Sequence, residues 1–522
     1  MISKIYSAIP YGFNGELVEV EGDMNRGLPA FNIVGMANKT INEARERVKS
    51  AIVNSGFQFP NRRVTINLAP ADLEKDGSYL DLAIALAILA LSRQLLTQDV
   101  KGKLFAGELS LDGEIRPVRG IINIVETARE KGFLEVFVPI QNLEQAKMVN
   151  GVRVYGVRTL QELFLRLKNQ IHEYEPSSEV KALETGKNAV LEASRTTKGG
   201  QSMVPEPLLD HIRGQTMAKR ALTIAVAGHH NILISGPPGA GKTLLARAAA
   251  NLLPELTPEE RIEVTKLYSL AGHEADKVVD ARPFRNPHHT ATTTSIIGGG
   301  TGANPGEISL VHTGILFLDE MPEFQRPVLE ALRQPLEDRQ ITVSRAKRKN
   351  IYPADFMLIA TMNPCPCGYL GDPTHECKCS LAQIQNYQKK MSGPLLDRID
   401  MFIEVERVEN EDLGRAVTIP ADAKTTEHNV VKNTITGAIE RQKVRFGRSG
   451  AYNAGLSSFE VSRILKMAPE AEKLLKEAST KLNLSARAYF KTIKVAQTIA
   501  DLEGASMILA KHLAEALTYR KR

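Results

Sequence analysis

Residues 236 to 243 have the types and spacing that bind a chain of phosphates. They satisfy every fixed position of the pattern G-x-x-x-x-G-K-[ST], and in order they are Gly236, Pro237, Pro238, Gly239, Ala240, Gly241, Lys242 and Thr243. Glycines let the backbone N–H groups turn inward around the phosphates. Lys242 would reach the β- and γ-phosphates, and the Thr243 hydroxyl would ligate Mg²⁺. The pattern predicts a nucleoside triphosphate site, and the alternative is a Gly-rich turn without a ligand.

A strand before this loop and a helix after it must hold the loop in place. Residues 231–234 form a short apolar run typical of a buried strand, and residues 244–250 are rich in helix formers. The N-terminal end of that helix carries a partial positive charge, which would point at the phosphates. Polar residues at 210–215 precede an Ala-rich helix predicted over 217–228, where an adenine pocket would form.

Two further apolar runs end in polar residues that complete this chemistry. Residues 315–318 predict a strand that delivers Asp319 and Glu320 to the carboxyl edge of a parallel sheet, where ligands bind. Asp319 would hold the Mg²⁺ shell, and Glu320 would orient the attacking water. Residues 355–363 predict another strand, which ends in Asn363, and this amide would sense the water or the γ-phosphate. The alternatives are an ordinary acidic surface pair and an ordinary turn asparagine.

The four cysteines of the chain lie close together in the sequence. Cys365, Cys367, Cys377 and Cys379 form two C-x-C pairs with nine residues between them, which is the clustering of a metal site and not of a disulfide framework. Four thiolates suit a tetrahedral structural Zn²⁺, and His375 is a possible replacement ligand. Redox-active thiols are the alternative.

Length and composition place the chain among ordinary globular proteins. The 522 residues correspond to roughly three domains, and 43% of them are hydrophobic. A net charge of +6 permits contact with a polyanion without proving it. No apolar run approaches the roughly 18 residues of a membrane span, and residues 1–5 lack a signal-peptide pattern. We therefore predict a cytoplasmic protein.

The N-terminal third alternates short apolar runs with helical stretches. Segments 74–81, 106–120 and 136–139 resemble the proteolytic domain of Lon proteases, which use a Ser/Lys dyad. The two places of that dyad hold Tyr79 and Ile122, and Ser78 lies one position away and is interpreted as a turn or cap residue. We expect an α+β domain over 1–168 that binds or assembles and does not cut, followed by a polar linker over 169–207.

Further segments surround the candidate site: PFRNPHHT (283–290), GGG (298–300), PGEISLVHTG (305–314), MNPCPCG (362–368) and SGPLLDRID (392–400). They resemble the Mg-chelatase-like AAA+ ATPases of the ComM/YifB family. The resemblance implies ATP as the nucleotide and a ring of subunits, which we expect to be a hexamer. It implies that Arg398 is an arginine finger reaching a neighbouring subunit's nucleotide and that Arg487 is sensor 2. Each arginine has an alternative interpretation as a surface charge.

Two insertions are expected in this ATPase core. The resemblance places the Gly-rich segment 290–306 as a helix-2 insert facing the ring pore, with a plain surface excursion as the alternative. Residues 340–352 predict a β-hairpin between Glu320 and Asn363 with a basic tip formed by Lys347, Arg348 and Lys349. We interpret these three cations as DNA contacts, whereas a solvated charge run is the default for such a pattern.

The predicted fold is an α/β P-loop AAA+ core over 208–408, a parallel sheet with flanking helices, followed by a helical lid over 409–522. The resemblance implies an ATP-driven motor on single-stranded or branched DNA, a branch-migration helicase in recombination and natural transformation. A Mg-chelatase-type motor that remodels a partner protein without nucleic acid is the rival. A regulatory binding module around an inactive protease is a third interpretation, which the intact phosphate loop and acidic pair disfavour.

Overall fold

The computed structural model describes residues 2–35, 39–71, 73, 75, 78–169, 208–272, 277–300, 302–345, 348–372, 375–407, 426–448 and 450–521. The chain folds into two compact units, Met1–Met203 with Pro258–Val279 and Val204–Thr257 with Asp280–Arg522. The predicted linker lies outside the described residues except for Asn169. None of the helices found in the described ranges has the length and apolar character needed to cross a membrane.

The N-terminal unit is built on a mixed sheet. Its strands are β1 Ile2–Tyr11, β2 Asn14–Asn25, β3 Ala30–Val34, β4 Arg63–Ala69, β5 Lys103–Phe105, β6 Glu108–Leu109, β7 Ile115–Arg116, β8 Glu135–Pro139 and β9 Arg153–Val157. Seven of them form one sheet in the order β3-β4-β2-β1-β5-β8-β9. The pairs β1–β2 and β2–β4 are antiparallel, and the others are parallel. The predicted α+β character is therefore confirmed.

The second unit is built on a sheet of parallel strands. Its strands are β10 Ile232–Ser235, β11 Phe284–Arg285, β12 Gly298–Gly299, β13 Asn304–Pro305, β14 Ile315–Leu318, β15 Gln340–Arg345, β16 Arg348–Pro353, β17 Met357–Met362 and β18 Met401–Glu404. The main sheet has the order β11-β14-β17-β10-β18, and every pairing in it is parallel. Three strands that carry candidate residues, β14, β17 and β10, are thus neighbours, which confirms the predicted α/β core.

The α-helices flank these sheets and form a helical C-terminal region. In chain order they are α1 Lys39–Asn54, α2 Asp81–Leu91, α3 Thr97–Val100, α4 Ile121–Glu130, α5 Leu143–Ala146, α6 Leu160–Leu167, α7 Thr216–Gly228, α8 Lys242–Leu252, α9 Pro258–Ala271, α10 Thr293–Ile297, α11 Glu307–Leu310, α12 Arg326–Ala331, α13 Arg333–Asp338, α14 Leu381–Gln388, α15 Gly393–Leu396, α16 Glu427–Phe446, α17 Ser458–Ile464, α18 Pro469–Lys481, α19 Ala486–Glu503 and α20 Ala510–Thr518. Short 3₁₀ turns cover Ile140–Asn142, Leu209–His211, Met321–Glu323 and Asn453–Gly455.

The positions of the Lon-type dyad are occupied by core side chains. Ile122 is fully buried, and Tyr79 packs against the apolar core of this unit. The Ser78 hydroxyl contacts the carboxylate of Glu108. Lys75 is fully buried, and its ammonium donates to backbone carbonyls, including that of Leu73 at 3.0 Å. The two positions of the Lon-type dyad therefore hold a tyrosine and an isoleucine, and neither side chain supplies the amine that would activate a serine.

Helix α9 belongs to the N-terminal unit although the chain reaches it from the middle of the ATPase core. The Lys266 ammonium lies 2.5 Å from a carboxylate oxygen of Glu126 on α4 and 4.2 Å from the centroid of the Phe13 ring. The backbone N–H of Gly120 donates to the Ser269 hydroxyl at 2.8 Å. Our boundary at 208 did not anticipate this excursion of 258–279.

The C-terminal helices pack on the ATPase core as a predicted lid would. Helices α16 and α19 both lie against α7, and their apolar residues share one core with the strand before the phosphate loop. Helix α19 begins where its Ser485 hydroxyl accepts a hydrogen bond from the backbone N–H of Ala488 at 3.2 Å, which caps the helix. Residues 409–425 of the predicted lid lie outside the described ranges.

Candidate nucleotide-binding site

The Lys242 ammonium lies inside the curl of the predicted phosphate loop. It donates to the carbonyls of Gly236 at 2.6 Å and Pro237 at 3.1 Å, and to Oδ1 of Asn363 at 2.9 Å. Burial lowers its pKa, and the nearby carboxylates of Asp319 and Glu320 oppose that shift. The structure therefore brings the candidate lysine, the sensor amide and the acidic pair to one place.

Glycines shape the loop as its motif requires. Gly239 and Gly241 have φ of 79° and 78°, a conformation that side chains other than glycine rarely adopt. A Cβ at Gly236 would collide with the Val405 carbonyl after β18. Helix α8 begins at Lys242, so its first N–H groups face the space in front of the loop.

Asp319 lies between the hydroxyls of two threonines. Its Oδ2 accepts a hydrogen bond from Thr243 at 3.2 Å, and its Oδ1 accepts one from Thr361 at 2.5 Å. The Thr361 hydroxyl also accepts from the backbone N–H of Glu320 at 3.0 Å. The carboxylate and hydroxyl oxygens present here are the ligands that Mg²⁺ prefers, so these residues fit the expected ion.

Thr361 is a functional candidate that the sequence analysis missed. It is fully buried in β17 between apolar neighbours, and it orients the candidate magnesium ligand and the residue after it. A lone hydroxyl in an otherwise apolar strand, two residues before Asn363, was the available signal.

A cavity of about 1440 Å³ opens beside the loop, which is room enough for a nucleotide. Its walls come from the phosphate loop, from residues 211–213 and 215, from residues 370–372 and 375, and from residues 404–407. The Gln215 amide spans two of these walls, since it donates to the Glu406 carbonyl at 2.7 Å. The polar segment expected near the adenine thus lines this cavity.

The two candidate arginines meet elsewhere. Both Arg398 and Arg487 contact the carboxylate of Glu337 on α13, Arg487 at 2.9 Å. Arg398 also donates to the Pro394 carbonyl at 2.7 Å. Among the described residues that line the cavity, neither arginine occurs. The sequence analysis did not foresee Glu337 as their shared partner.

The backbone around Arg398 is held by two side chains. The Lys491 ammonium on α19 donates to the carbonyls of Asp397 at 2.5 Å and Ile399 at 2.7 Å. The Asn231 amide donates to the carbonyl of Arg398 itself at 3.0 Å. Burial by itself would raise the pKa of the adjacent Asp400. The contacts with Lys491 and His230 outweigh burial and lower this pKa to about 2. The arginine loop is thus tied to the lid and to the start of the P-loop strand.

The four cysteines converge on one point. Their sulfur atoms all lie within 4.8 Å of one another, and three of the separations are 3.3, 3.6 and 3.7 Å. A tetrahedral Zn²⁺ with Zn–S bonds of about 2.3 Å separates its sulfurs by about 3.8 Å, so the cluster fits that ion. His375 instead stacks on Tyr369 at 4.9 Å and is not part of this group.

The predicted hairpin forms from β15 and β16, with Arg345 opposite Arg348 in the register. Lys349 is exposed, whereas Lys347 lies outside the described residues. At the other end, the Tyr352 hydroxyl donates to the Ala303 carbonyl at 2.8 Å. The hairpin base therefore packs on the Gly-rich segment 290–306.

Comparisons with known proteins agree with this arrangement. Residues 208–413 match the family described as "Magnesium chelatase, subunit ChlI", residues 20–142 match "Subunit ChlI of Mg-chelatase", and residues 425–520 match "Magnesium chelatase, subunit ChlI C-terminal".

Similar proteins extend over almost the whole chain. Competence protein ComM of Haemophilus influenzae is 42% identical over 521 residues, which cover 99% of this chain and 97% of that protein. The protein YifB of Escherichia coli is 40% identical with the same coverage. The magnesium-chelatase 67 kDa subunit of Chlorobaculum parvum is 26% identical over 157 residues, 29% of this chain and 23% of that protein. The chain therefore belongs to the ComM/YifB family of magnesium-chelatase-like AAA+ ATPases.

Proposed function

We propose that this protein is a cytoplasmic ring motor that hydrolyses ATP and acts on single-stranded or branched DNA. The observation that carries the ATPase part is the meeting of Lys242, Asn363, Thr243 and Asp319 beside a nucleotide-sized cavity. Such a constellation positions and polarises a terminal phosphate, which is most of what phosphoryl transfer requires.

Each side chain has one task in this proposal. Lys242 leaves its loop carbonyls for the β- and γ-phosphate oxygens, and Asn363 follows the γ-phosphate because the two side chains already touch. Thr243 and Asp319 would hold Mg²⁺, which neutralises charge that develops on the phosphate oxygens. Glu320 accepts the proton of the attacking water. Thr361 keeps Asp319 and Glu320 in register.

The positions of the two arginines support a ring of subunits. Both pair with Glu337 and neither lines the cavity in the described part of the chain, which supports a role for Arg398 and Arg487 at the nucleotide of an adjacent subunit. Their permanently charged guanidinium groups suit the charge on a transferring phosphate. A hexamer is the closed ring that we propose.

The action on DNA rests on the hairpin and on the family. In the chain the hairpin follows Glu320 through helices α12 and α13, and it precedes β17, the strand that ends before Asn363. These connections would link the hairpin to both residues that are proposed to sense the γ-phosphate. In the sequence, Lys347, Arg348 and Lys349 lie at the predicted tip of this hairpin. The Haemophilus relative is named a competence protein, and uptake of DNA in natural transformation ends in strand exchange, for which a branch-migration motor would serve.

A second function has one observation in its favour. The family descriptions that match the core name magnesium chelatase, and a motor of that type would remodel a partner protein without DNA. The two functions differ in whether a polyanion changes the ATPase rate. We further propose that the four cysteines hold a structural Zn²⁺, because the separations of their sulfur atoms suit a tetrahedral ion.

The DNA function is tested by measuring ATP hydrolysis with and without single-stranded, duplex and four-way-junction DNA. We expect stimulation, and we expect that Lys347→Ala/Arg348→Ala/Lys349→Ala loses it while basal hydrolysis persists. Removing up to three phosphate contacts should flatten the slope of log affinity against log salt by up to roughly 3. The matched control removes three exposed lysines of α18, Lys473, Lys476 and Lys481, and should keep the wild-type slope.

Absence of stimulation by all three DNAs, together with absence of binding at low salt, would favour the protein-remodelling motor. An unchanged salt slope in the hairpin variant would place the DNA contacts elsewhere.

A further inference from the structure

The loop that carries the cysteines also forms one wall of the nucleotide cavity. Leu370, Gly371, Asp372 and His375 line the cavity, and all of them lie between Cys367 and Cys377 in the sequence. One short stretch of chain thus serves the thiol cluster and the candidate ATP site.

This loop has little structure of its own. No helix or strand occurs among the described residues from Asn363 to Ser380. Its internal hydrogen bonds include two turns, Gly368 N–H to the Cys365 carbonyl at 3.0 Å and Asp372 N–H to the Tyr369 carbonyl at 3.1 Å. A turn orders the few residues that it spans, and ordering the rest of a loop costs conformational entropy. A metal bound by the four converging sulfurs would add a crosslink across the loop.

The loop also touches the phosphate loop directly. Gly368 has φ of 85°, and a Cβ at this residue would lie 2.7 Å from Cδ of Pro238. Cys365, two residues after Asn363, is fully buried. At the opposite wall, an Arg407 nitrogen lies 3.3 Å from Nδ1 of His375, and both residues line the cavity. A change in the shape of the loop would therefore move the cavity wall against the phosphate loop and against the segment after β18.

We propose that Zn²⁺ bound by Cys365, Cys367, Cys377 and Cys379 fixes this wall, so that zinc occupancy sets the affinity of the site for nucleotide. The proposal rests on the nucleotide site described above. It assigns the metal a second role besides local stability, that of coupling the metal state of the protein to its ATP cycle. Because binding free energies are reciprocal, nucleotide must then tighten zinc by the same factor that zinc tightens nucleotide.

The test uses the purified full chain with ADP as the probe and isothermal titration calorimetry as the measurement. Zinc is counted by metal analysis, removed with 1,10-phenanthroline under reducing conditions, and added back at one equivalent. Loss of one or two wall contacts predicts an ADP Kd about tenfold weaker in the zinc-free protein. Zinc should restore the affinity and Mg²⁺ alone should not. Bound ADP should raise the apparent zinc affinity by the same factor, measured by competition with the chelator.

Substitutions distinguish an effect on the cavity wall from a failure of the protein to fold. Cys367→Ser/Cys379→Ser removes two ligands and should lower zinc content and ADP affinity together. Because this variant could fail to fold, His375→Ala provides a second arm. It keeps all four thiols and should weaken ADP while retaining one zinc per chain. Glu376→Ala is the matched control, since this exposed residue of the same loop lies outside the cavity lining, and it should retain both.

An ADP Kd that is equal in zinc-loaded and zinc-free protein would overturn the coupling. Wild-type protein that binds ADP but contains no zinc would overturn it as well and leave the proposed ATPase intact. Zinc-loaded wild-type protein that does not bind ADP would overturn the nucleotide site and this inference together.

Discussion

At the scale of single residues, the contacts of Lys242 describe the nucleotide site before a nucleotide binds. Two carbonyls and the Asn363 amide hold its ammonium, so the positive charge is already placed where the phosphates would arrive. Burial lowers its pKa, which means that an anionic ligand improves the environment of this charge. Glu320 lies after the strand, and its backbone N–H donates to the Thr361 hydroxyl.

Substitutions of Lys242 and Glu320 should therefore impair different steps, nucleotide binding and hydrolysis. Lys242→Ala should weaken ATP binding by about 10- to 100-fold, because it removes a charge-assisted contact. Glu320→Gln should bind ATP with nearly wild-type affinity and hydrolyse it at least roughly 100-fold more slowly, since it lacks the proton acceptor. Equilibrium binding and single-turnover hydrolysis distinguish them, with melting temperature as the control for folding. Wild-type turnover in Glu320→Gln would show that the acidic pair is misassigned.

Sequence patterns predict the functional residues whose structural partners are close in the sequence. The loop from Gly236 to Thr243, Asp319 and Asn363 follows from local motifs because each ends or begins a short apolar strand. Thr361 depends on the register of β14 against β17. Glu337 depends on contacts 61 and 150 residues away in the sequence, to Arg398 and Arg487. Such partners are set by tertiary packing, which no local pattern encodes.

At the scale of elements, helix α19 carries both a candidate sensor and a brace for the finger loop. Arg487 and Lys491 are four residues apart, so they lie on one face of the helix. Lys491 holds the carbonyls on both sides of Arg398. Burial lowers its pKa, although Asp397 and Asp400 oppose that shift. Movement of this lid helix would therefore move the finger.

We expect Lys491→Met to misplace the side chain of Arg398. It should bind ATP normally and hydrolyse it poorly, because the loop loses the hydrogen bonds that aim the arginine. We expect the same two effects from Arg398→Ala, which removes the arginine itself. Mixed with Lys242→Ala subunits, which keep their own finger loop, it should regain part of the hydrolysis, measured as rate against mixing ratio.

Lys491→Arg is the conservative variant and should retain most of the rate, since it can still donate to both carbonyls. A Lys491→Met protein that regains no activity in mixtures, while Arg398→Ala does, would indicate damage to its own nucleotide site and contradict the positioning role.

At the scale of the whole chain, α9 is the element that the sequence analysis could least place. Its buried residues, among them Val264 and Leu267, indicate that one face of the helix is covered, but a pattern of this kind does not identify the covering surface. The contacts of Lys266 and Ser269 with α4 and the residue before it settle the question. The domain limits inferred from motifs alone treated 208–408 as uninterrupted.

Glu126→Ala tests this packing in the full chain. It leaves the ammonium of Lys266, which is nearly buried, without its carboxylate, and such uncompensated charges are strongly destabilising. Amide hydrogens of α9 should exchange roughly tenfold faster or more, whereas those of α8 should not change. Glu130→Ala on the same helix α4 is the control, because Glu130 is exposed. Equal protection of α9 in both variants, measured by mass spectrometry, would rule the contact out as a determinant of its stability.

The excursion of 258–279 also has a consequence for synthesis on the ribosome. Strands β1 to β9 emerge first, but the surface of α4 that α9 covers stays open until residue 271 has left the ribosome. By then the phosphate loop has been made, whereas Asp319 and Glu320 have not. The N-terminal unit therefore finishes folding in the presence of an incomplete ATPase, and a gene that encoded only residues 1–168 would specify a unit without its last helix.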